Sequence, residues 1–260
     1  MTVVDSQNPI LSPIQGTERG VQRFSAHVGA VESMSSQYGQ DELVLQVLNG
    51  KRGGYFLDSG ASDGVAASNT FLLETSYGWS GLCVEPDPAF FEDLVSNRRC
   101  HCLNTCLFPL TDEVAFVDAG TLGGVLDDYP PEDLQYLEAA CGVPPKIVRR
   151  KARSIRSVLR EVDAPAVIDY WSLDVEGAEL TLLKSFPFDE YTFRVLTVEH
   201  NNRPDVQASI RAFLNPLGFE RLITLAIDDC YVNTRLGIAT SISRSGALGR
   251  WRLGRGRDGR

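Results

Sequence analysis

The sequence predicts an α/β fold, a mostly parallel sheet with helices on both faces. Apolar runs that end in an acid or a polar turn recur at residues 55–58, 81–85, 101–105, 170–174 and 193–199. Helical stretches follow four of them, at 69–76, 89–96, 178–185 and 206–217. Repeated strand–helix units imply parallel strands, because each connection must cross back over a face of the sheet. With 260 residues, 43% hydrophobic and 23% charged, the chain has the size and composition of a globular domain.

Residues 1–35 show no sustained periodicity and read as an irregular arm. After Ser36, the residues Leu43, Val44, Val47 and Leu48 recur at helical spacing, and Asn49-Gly50 and Gly53-Gly54 break the chain. The first strand follows, and Asn69 caps the helix after it. The second strand stops at Pro86-Asp87-Pro88, and the third is followed by an added strand at 114–118. The helix after the fifth strand is closed by Gly218, and residues 221–226 and 230–234 read as an antiparallel hairpin around Asp228-Asp229. One domain therefore spans 36–235.

Residues 119–163 interrupt this rhythm with Gly123-Gly124, Pro130-Pro131, Pro144-Pro145 and a basic run from Arg149 to Arg153. An insertion over 119–153 lies across the carboxyl edge of the sheet, where α/β ligands bind. Arg149, Arg150 and Arg153 can there contact an anionic acceptor, or form a solvated face that balances an acidic body.

No run of about 18 apolar residues exists, so no transmembrane helix is expected. Residues 1–20 are polar and lack an apolar core of the secretory kind, which points to the cytoplasm. The six cysteines include no CxxC pair, and Cys100-His101-Cys102 alternates as a strand does, so they read as structural thiols. Net charge is −9; residues 244–260 carry +5, leaving −14 on the remainder. An acidic body repels phosphates and disfavours a nucleic-acid partner. The Arg/Gly-rich tail, 236–260, is expected to be disordered.

The chemistry concentrates at Tyr55-Phe56-Leu57-Asp58-Ser59-Gly60-Ala61-Ser62-Asp63-Gly64. A strand running into glycine-spaced turn residues brings backbone close to a ligand. A dinucleotide fingerprint has glycine where Asp58 stands, because a carboxylate repels a pyrophosphate. An acid there suits a cationic ligand, and S-adenosylmethionine carries both an ammonium and a sulfonium.

Further polar groups stand at successive strand ends. Glu85, 27 residues after Asp58, is where an acid accepts hydrogen bonds from the hydroxyls of an adenosine ribose. Asn104 and Thr105 either bracket the adenine or serve as turn residues. Asp174 ends the fourth strand at the crevice, while Glu176 and Glu179 lie near a helix start, where negative charge is favoured. Glu199-His200-Asn201-Asn202 ends the fifth. A hydroxyl acceptor must lose its proton as the methyl arrives, so His200 can be the base, oriented by Asp174 or Glu199. Alternatively Asp174, Glu199 and a neighbour bind a divalent metal that acidifies the hydroxyl, with His200 merely hydrogen-bonded at a strand end. His27 and His101 carry no functional reading.

In these motifs the chain resembles the FkbM family of S-adenosylmethionine-dependent methyltransferases. The resemblance rests on Ser36-Gln37-Tyr38-Gly39-Gln40-Asp41, Phe56-Leu57-Asp58-Ser59-Gly60-Ala61-Ser62-Asp63-Gly64, and Ser68-Asn69-Thr70. It continues through Gly78-Trp79-Ser80-Gly81-Leu82-Cys83-Val84-Glu85-Pro86, Ser172-Leu173-Asp174-Val175-Glu176-Gly177-Ala178-Glu179 and Val198-Glu199-His200-Asn201. It implies a class I methyltransferase (Rossmann-like) three-layer sandwich, with a seven-stranded mostly parallel sheet in order 3-2-1-4-5-7-6 and an antiparallel last strand. By the same resemblance Asp58, Gly60, Asp63 and Gly64 surround the methionine moiety and Glu85 holds the ribose. Gln37 and Asp41 close over the cofactor, and Ser62, Asn69, Asn104 and Asp174 complete its site. Ser62 stands where asparagine is often found.

The combined reading is an O-methyltransferase acting on a hydroxyl of a small-molecule or carbohydrate acceptor of polysaccharide, glycolipid or polyketide type, in a chain that can form a homodimer. Its rivals are an N-methyltransferase, a non-catalytic cofactor-binding protein and, on the arginine tail alone, a nucleic-acid methyltransferase.

Overall fold

The computed structural model describes residues 36–109 and 112–238. The expected arm at 1–35, with His27, and the tail beyond residue 238 lie outside the described residues.

The elements run α1 (Gln40–Val47), β1 (Tyr55–Ser59), α2 (Phe71–Tyr77), β2 (Ser80–Val84), α3 (Pro88–Asn97), β3 (His101–Leu103), β4 (Cys106–Leu107) and β5 (Glu113–Asp118). They continue β6 (Gly124–Val125), α4 (Pro131–Cys141), β7 (Lys146–Arg153), α5 (Ile155–Glu161), β8 (Val167–Leu173), α6 (Glu179–Ser185), β9 (Thr192–Glu199), α7 (Pro204–Leu214), β10 (Phe219–Leu225) and β11 (Asp228–Asn233).

Seven strands form one sheet in the order β10-β11-β9-β8-β1-β2-β3. Strands β3, β2, β1, β8 and β9 are parallel, and β11 runs antiparallel to both its neighbours. Counted along the chain, this is the order 3-2-1-4-5-7-6 with the seventh strand reversed. The chain moves outward from β1 to β3 and then returns to β8 on the other flank of β1. That reversal opens a crevice at the carboxyl ends of β1 and β8, where ligands of such sheets bind.

Strand alternation divides the core. Leu57, Trp171 and Leu196 face one side, where Trp171, Phe186, Phe193 and Phe219 cluster with α5, α6 and α7 residues such as Leu159, Leu183 and Leu214. Phe56, Tyr170 and Val195 face the other, against Leu43 and Val44 of α1, Leu73 of α2 and Leu94 of α3. Leu57, Trp171 and Phe193 are wholly buried, so burial of large apolar surface anchors the strands whose ends carry the site.

The structure departs from the sequence reading in four places, the first being that Thr70, not Asn69, stands at the N-cap of α2, while the Asn69 side chain reaches Ser172. The strand at β5 belongs to a separate four-stranded sheet, β4-β7-β5-β6. The basic run is not a loop over the crevice; it is β7, paired antiparallel to β5 with Arg149 opposite Ala115 and Arg150 opposite Val114. Alternating Val148, Arg150 and Ala152 on the less exposed face is a strand pattern that the density of charge conceals. Finally, the hairpin turn is Ala226-Ile227, with Asp228 and Asp229 inside β11. Two adjacent acids mimic a turn signal, but both are buried and hydrogen-bonded to Gln40 and Gln207 respectively.

Candidate active site

A cavity of about 1190 Å³ opens over the carboxyl ends of β1, β2, β8 and β9, roofed by α4 and the loop at 120–125. Its floor is the β1 turn. Gly60 has φ +86°, and a Cβ there would sit 1.8 Å from the Asp174 carbonyl oxygen, so only glycine lets β1 and β8 turn side by side. Gly60 and Ala61 donate their N–H groups to the Val84 carbonyl, tying this turn to β2.

Asp58 lines the cavity, and its carboxylate accepts a 2.5 Å hydrogen bond from Thr70 Oγ1. Burial raises its pKa to about 6, against the lowering effects of Arg98 and Thr70. Arg98 is the component that sequence reasoning missed. Its buried guanidinium reaches Thr70, the Gly64 carbonyl, Ser68 and Glu74, locking the whole turn. Nothing local distinguishes it from the exposed Arg99 beside it.

Glu85 also lines the cavity, accepting from Ser62 N at 2.8 Å and Asp87 N at 2.7 Å. Burial moves its pKa to about 7 despite those two bonds. Ser62 itself holds φ +49°, a left-handed position where asparagine is the more comfortable residue. Asp63 borders the cavity, but its Oδ1 accepts from Val65 and Ala66 and so braces its own loop. Gly64 is absent from the lining: a side chain there would strike Leu94 and Arg98, so this glycine serves packing against α3. Asn69 lines the cavity and donates to Ser172, leaving its Oδ1 buried without a partner.

Gln37 and Tyr38, just before α1, and Gln40, its first residue, face the cavity. Asp41 does not; it accepts from Ser36 Oγ and Glu42 N, while Gln40 crosses to Asp228 at 2.7 Å. Asn104 likewise lies outside the lining, donating to the Glu85 carbonyl at 2.8 Å, and Thr105 takes the cavity position.

On the β8 and β9 side, Asp174, Glu176, Glu199 and Asp228 all line the cavity. Oxygens of Asp174, Glu176 and Glu199 lie within 4.8 Å of one another, a spacing that can hold a metal ion. Burial first, then Asp228 and Glu179, raises Asp174 to about 8, with a hydrogen bond from Glu199 opposing. Glu176 and Glu199 are raised by burial and by Asp174. Glu179 turns away and accepts from Val175 N and Gly177 N, a helix-capping role.

His200 falls on the far side of this wall. It lines a smaller cavity of about 280 Å³ that shares Glu199, Asn201 and Arg203 with the large one. Its Nδ1 accepts from Asn202 N at 3.2 Å, and its Nε2 lies 3.3 Å from Gln207 and 3.7 Å from Asp229. Consecutive residues at the end of a strand point to opposite faces, which separates His200 from Glu199. Burial lowers its pKa, against the opposing effect of Asp229.

The roof brings Tyr129, Asp133, Tyr136 and Leu137 to the cavity opposite the carboxylates. Arg203, at the start of α7, ion-pairs with Asp133 and Glu132 in the first turn of α4. The three arginines of β7 are elsewhere. Arg149 is exposed beside Glu113, and Arg153 pairs with Glu161. Arg150 stacks over Phe116 between Asp87 and Asp118 without lining the cavity. No described helix is long and apolar enough to cross a membrane.

Residues 58–221 match the family model described as the methyltransferase FkbM domain. Among solved structures, the chain is similar to methyltransferase FkbM from Methylobacillus flagellatus, with 16% identity over 69% of this chain and 43% of that one, TM-score 0.40. It is also similar to the METTL16 methyltransferase domain, with 12% identity over 74% and 64% of the two chains, TM-score 0.39. A third is precorrin-6y C5,15-methyltransferase from Geobacter metallireducens, with 10% identity over 74% and 77%, TM-score 0.38. The chain thus spans less than half of the first structure and under two thirds of the second. No curated protein matches it.

Proposed function

The chain belongs to the FkbM methyltransferase family, and on that premise we propose that it methylates a hydroxyl oxygen of a small-molecule or carbohydrate acceptor, with S-adenosylmethionine as donor. The observation that carries this reading is the single cavity lined by Asp58, Gly60, Glu85, Asp174 and Glu199 at four adjacent strand ends.

The residues fit the cofactor. The Gly60 turn leaves backbone exposed where a side chain would block the approach. Glu85 spends one hydrogen bond per oxygen on Ser62 and Asp87, and a carboxylate has about four acceptor sites, so it keeps capacity for ribose hydroxyls. Asp58 and Asp63 supply negative charge for the methionine ammonium, and the orphaned Asn69 Oδ1 offers a further acceptor. Gln37 and Gln40 close the site from the α1 side. When bound, S-adenosylmethionine supplies an electrophilic methyl group.

The chain's own work is to align the acceptor oxygen and remove its proton. Asp174 is the proton acceptor in this proposal, because a carboxyl with a pKa near neutrality is a better base than an ordinary one. A hydrogen bond from Glu199 opposes part of the rise in its pKa. Tyr129, Tyr136 and Leu137 form an apolar wall for the acceptor. The paired arginines of β7 and the acid-rich cavity favour an uncharged acceptor over an anionic one.

A second reading rests on the clustered oxygens of Asp174, Glu176 and Glu199: a divalent ion there would acidify the acceptor hydroxyl directly. Glu176 is then the third ligand. One experiment separates the readings: S-adenosylhomocysteine formation with hydroxyl and amine acceptors, before and after chelation. Turnover of hydroxyl acceptors that survives chelation supports Asp174 as base. Loss restored by magnesium or manganese supports the metal. Turnover restricted to amines overturns the O-directed assignment.

A further inference from the structure

The turn before α1 is built to hold one aromatic ring. Ser36 Oγ donates to Asp41 at 2.5 Å and accepts from Gly39 N at 3.1 Å, while Gln40 Oε1 accepts from Tyr38 N at 2.8 Å. Gly39 closes the turn at φ +84°, a conformation that glycine adopts without strain. Ser36, Gln40 and Asp41 are all buried, so these bonds are made away from water, where a missing partner is costly. The turn leaves Gln37 and Tyr38 uncovered, and both line the large cavity. Tyr38 is half-buried: its ring packs against the cluster that contains Leu43 and Val44 and still borders the cavity.

The position of that ring in the sheet decides which ligand it meets. The Gln40 amide that holds Tyr38 N also donates, through Nε2, to Asp228 at the start of β11, 2.7 Å away. This bond ties the Tyr38 turn to the β8–β9–β11 flank. The cofactor residues Asp58, Gly60 and Glu85 stand at the ends of β1 and β2, on the other flank. Strand β11 lies three strands from β1, roughly 14 Å at about 4.8 Å per strand. The electrostatics agree: burial first, then Asp228, Glu199 and Asp174, raises the Tyr38 pKa, so a protonated phenol faces the carboxylate wall.

We propose, on the premise of hydroxyl transfer, that Tyr38 is an acceptor-binding residue whose open ring face stacks on a ring of the acceptor. The substrate class is then a hydroxyl carried on a ring with an apolar face, a pyranose or a phenol. The carboxylates at the ends of β8 and β9 address the hydroxyl, and the Tyr38 face fixes the plane of the ring that carries it, which orients the oxygen. An open-chain polyol offers no flat face and gains nothing from the contact. Stacking of this kind is worth about 2–12-fold in affinity.

Fluorine NMR of the full-length chain carrying 3-fluorotyrosine, with the Tyr38 resonance assigned by its loss in Tyr38→Phe, reads the contact directly. The chain is saturated with S-adenosylhomocysteine and titrated with phenol, methyl glucoside and glycerol. The Tyr38 resonance should move with phenol or methyl glucoside and not with glycerol, and whichever of the two acts identifies the ring. A resonance that S-adenosylhomocysteine moves and no ring compound moves further assigns Tyr38 to the cofactor and overturns the proposal. A resonance that nothing moves overturns it too, and an equal response to glycerol overturns the ring class. Methyl transfer confined to amine analogues, with Tyr38 still responding to the ring compounds, overturns the hydroxyl reading and supports the contact. Turnover supplies the second arm. Tyr38→Leu keeps an apolar side chain against the core, and KM for the responding ring compound should rise about 2–12-fold, with S-adenosylhomocysteine affinity little changed. Tyr38→Phe should keep the wild-type KM. Equal weakening of both ligands in Tyr38→Leu would reduce Tyr38 to a structural residue and overturn its role in the acceptor site.

Discussion

The Asp174 carbonyl oxygen occupies the space into which any side chain on residue 60 would project, 1.8 Å from the Cβ position of Gly60. Close approach of the β1 and β8 ends therefore depends on the absence of one atom. Gly60→Ala must both relax a φ of +86° and push Asp174 away. Each strained position of this kind costs about 1–3 kcal/mol. A lowered melting temperature and at least about tenfold weaker S-adenosylhomocysteine binding by calorimetry are expected. Wild-type affinity in this variant would separate the turn from the cofactor.

Asp174 and His200 make opposite predictions. Asp174→Asn removes the proposed proton acceptor and should lower turnover by about 10²–10⁴-fold, the range for loss of a general base. His200→Gln preserves the hydrogen bonds around Asn202 and Gln207 and should lower turnover less than about tenfold. In the wild type, turnover should rise with pH through the titration of Asp174, whose pKa is about 8 without ligand. A cationic ligand favours the carboxylate and shifts that rise to lower pH. The rise should vanish in Asp174→Asn. If His200→Gln is the dead variant, the assignment reverses.

Arg203 joins α7 to the first turn of α4 through Asp133 and Glu132, and its side chain borders the acceptor end of the cavity. Arg203→Ala frees the roof and leaves the cofactor turn untouched. Acceptor KM should increase about 10–150-fold, on the scale of a lost charged hydrogen bond, with little change in S-adenosylhomocysteine affinity. Equal weakening of both ligands would show that α4 supports the whole cavity.

The buried acids make stability depend on pH in a definite direction. Asp58 and Asp228 titrate at about 6, Glu85 at about 7 and Asp174 at about 8 in the folded chain, all raised chiefly by burial. Between the ordinary carboxylate range and these values the folded state holds protons that the unfolded chain has released. The unfolded state then binds fewer protons, so stability falls as pH rises from about 4 through about 8. Melting temperature of the ligand-free protein should be lower at about pH 8.5 than at about pH 5.5, and Asp174→Asn should reduce the difference. A flat profile would mean that these carboxylates are solvated.

Several features were legible in residues alone. Strand–turn–helix succession is written in local periodicity and turn chemistry, so β1, β2, β8, β9 and their following helices could be placed within a few residues. The positions of Asp58, Gly60, Glu85, Asp174 and Glu199 follow, because a residue that ends a parallel strand is carried to the same edge as its neighbours' ends. Two-residue strands such as β4 and β6 left no periodicity to read, and in β7 charge concealed it.

What only the tertiary structure decided is direction. Gln40, not Asp41, turns to the cavity because it meets Asp228, 188 residues away. His200 turns to Asp229 and Gln207, and away from Asp174, because β11 lies antiparallel beside β9 with Asp228 opposite Glu199. Glu176 joins Asp174 and Glu199 through a loop residue at φ +59°, a conformation unusual for glutamate. Sequence determines which residues arrive at the edge of the sheet. Partners distant in the chain determine which way each side chain points, since a strand's successive residues face opposite sides and register alone selects between them.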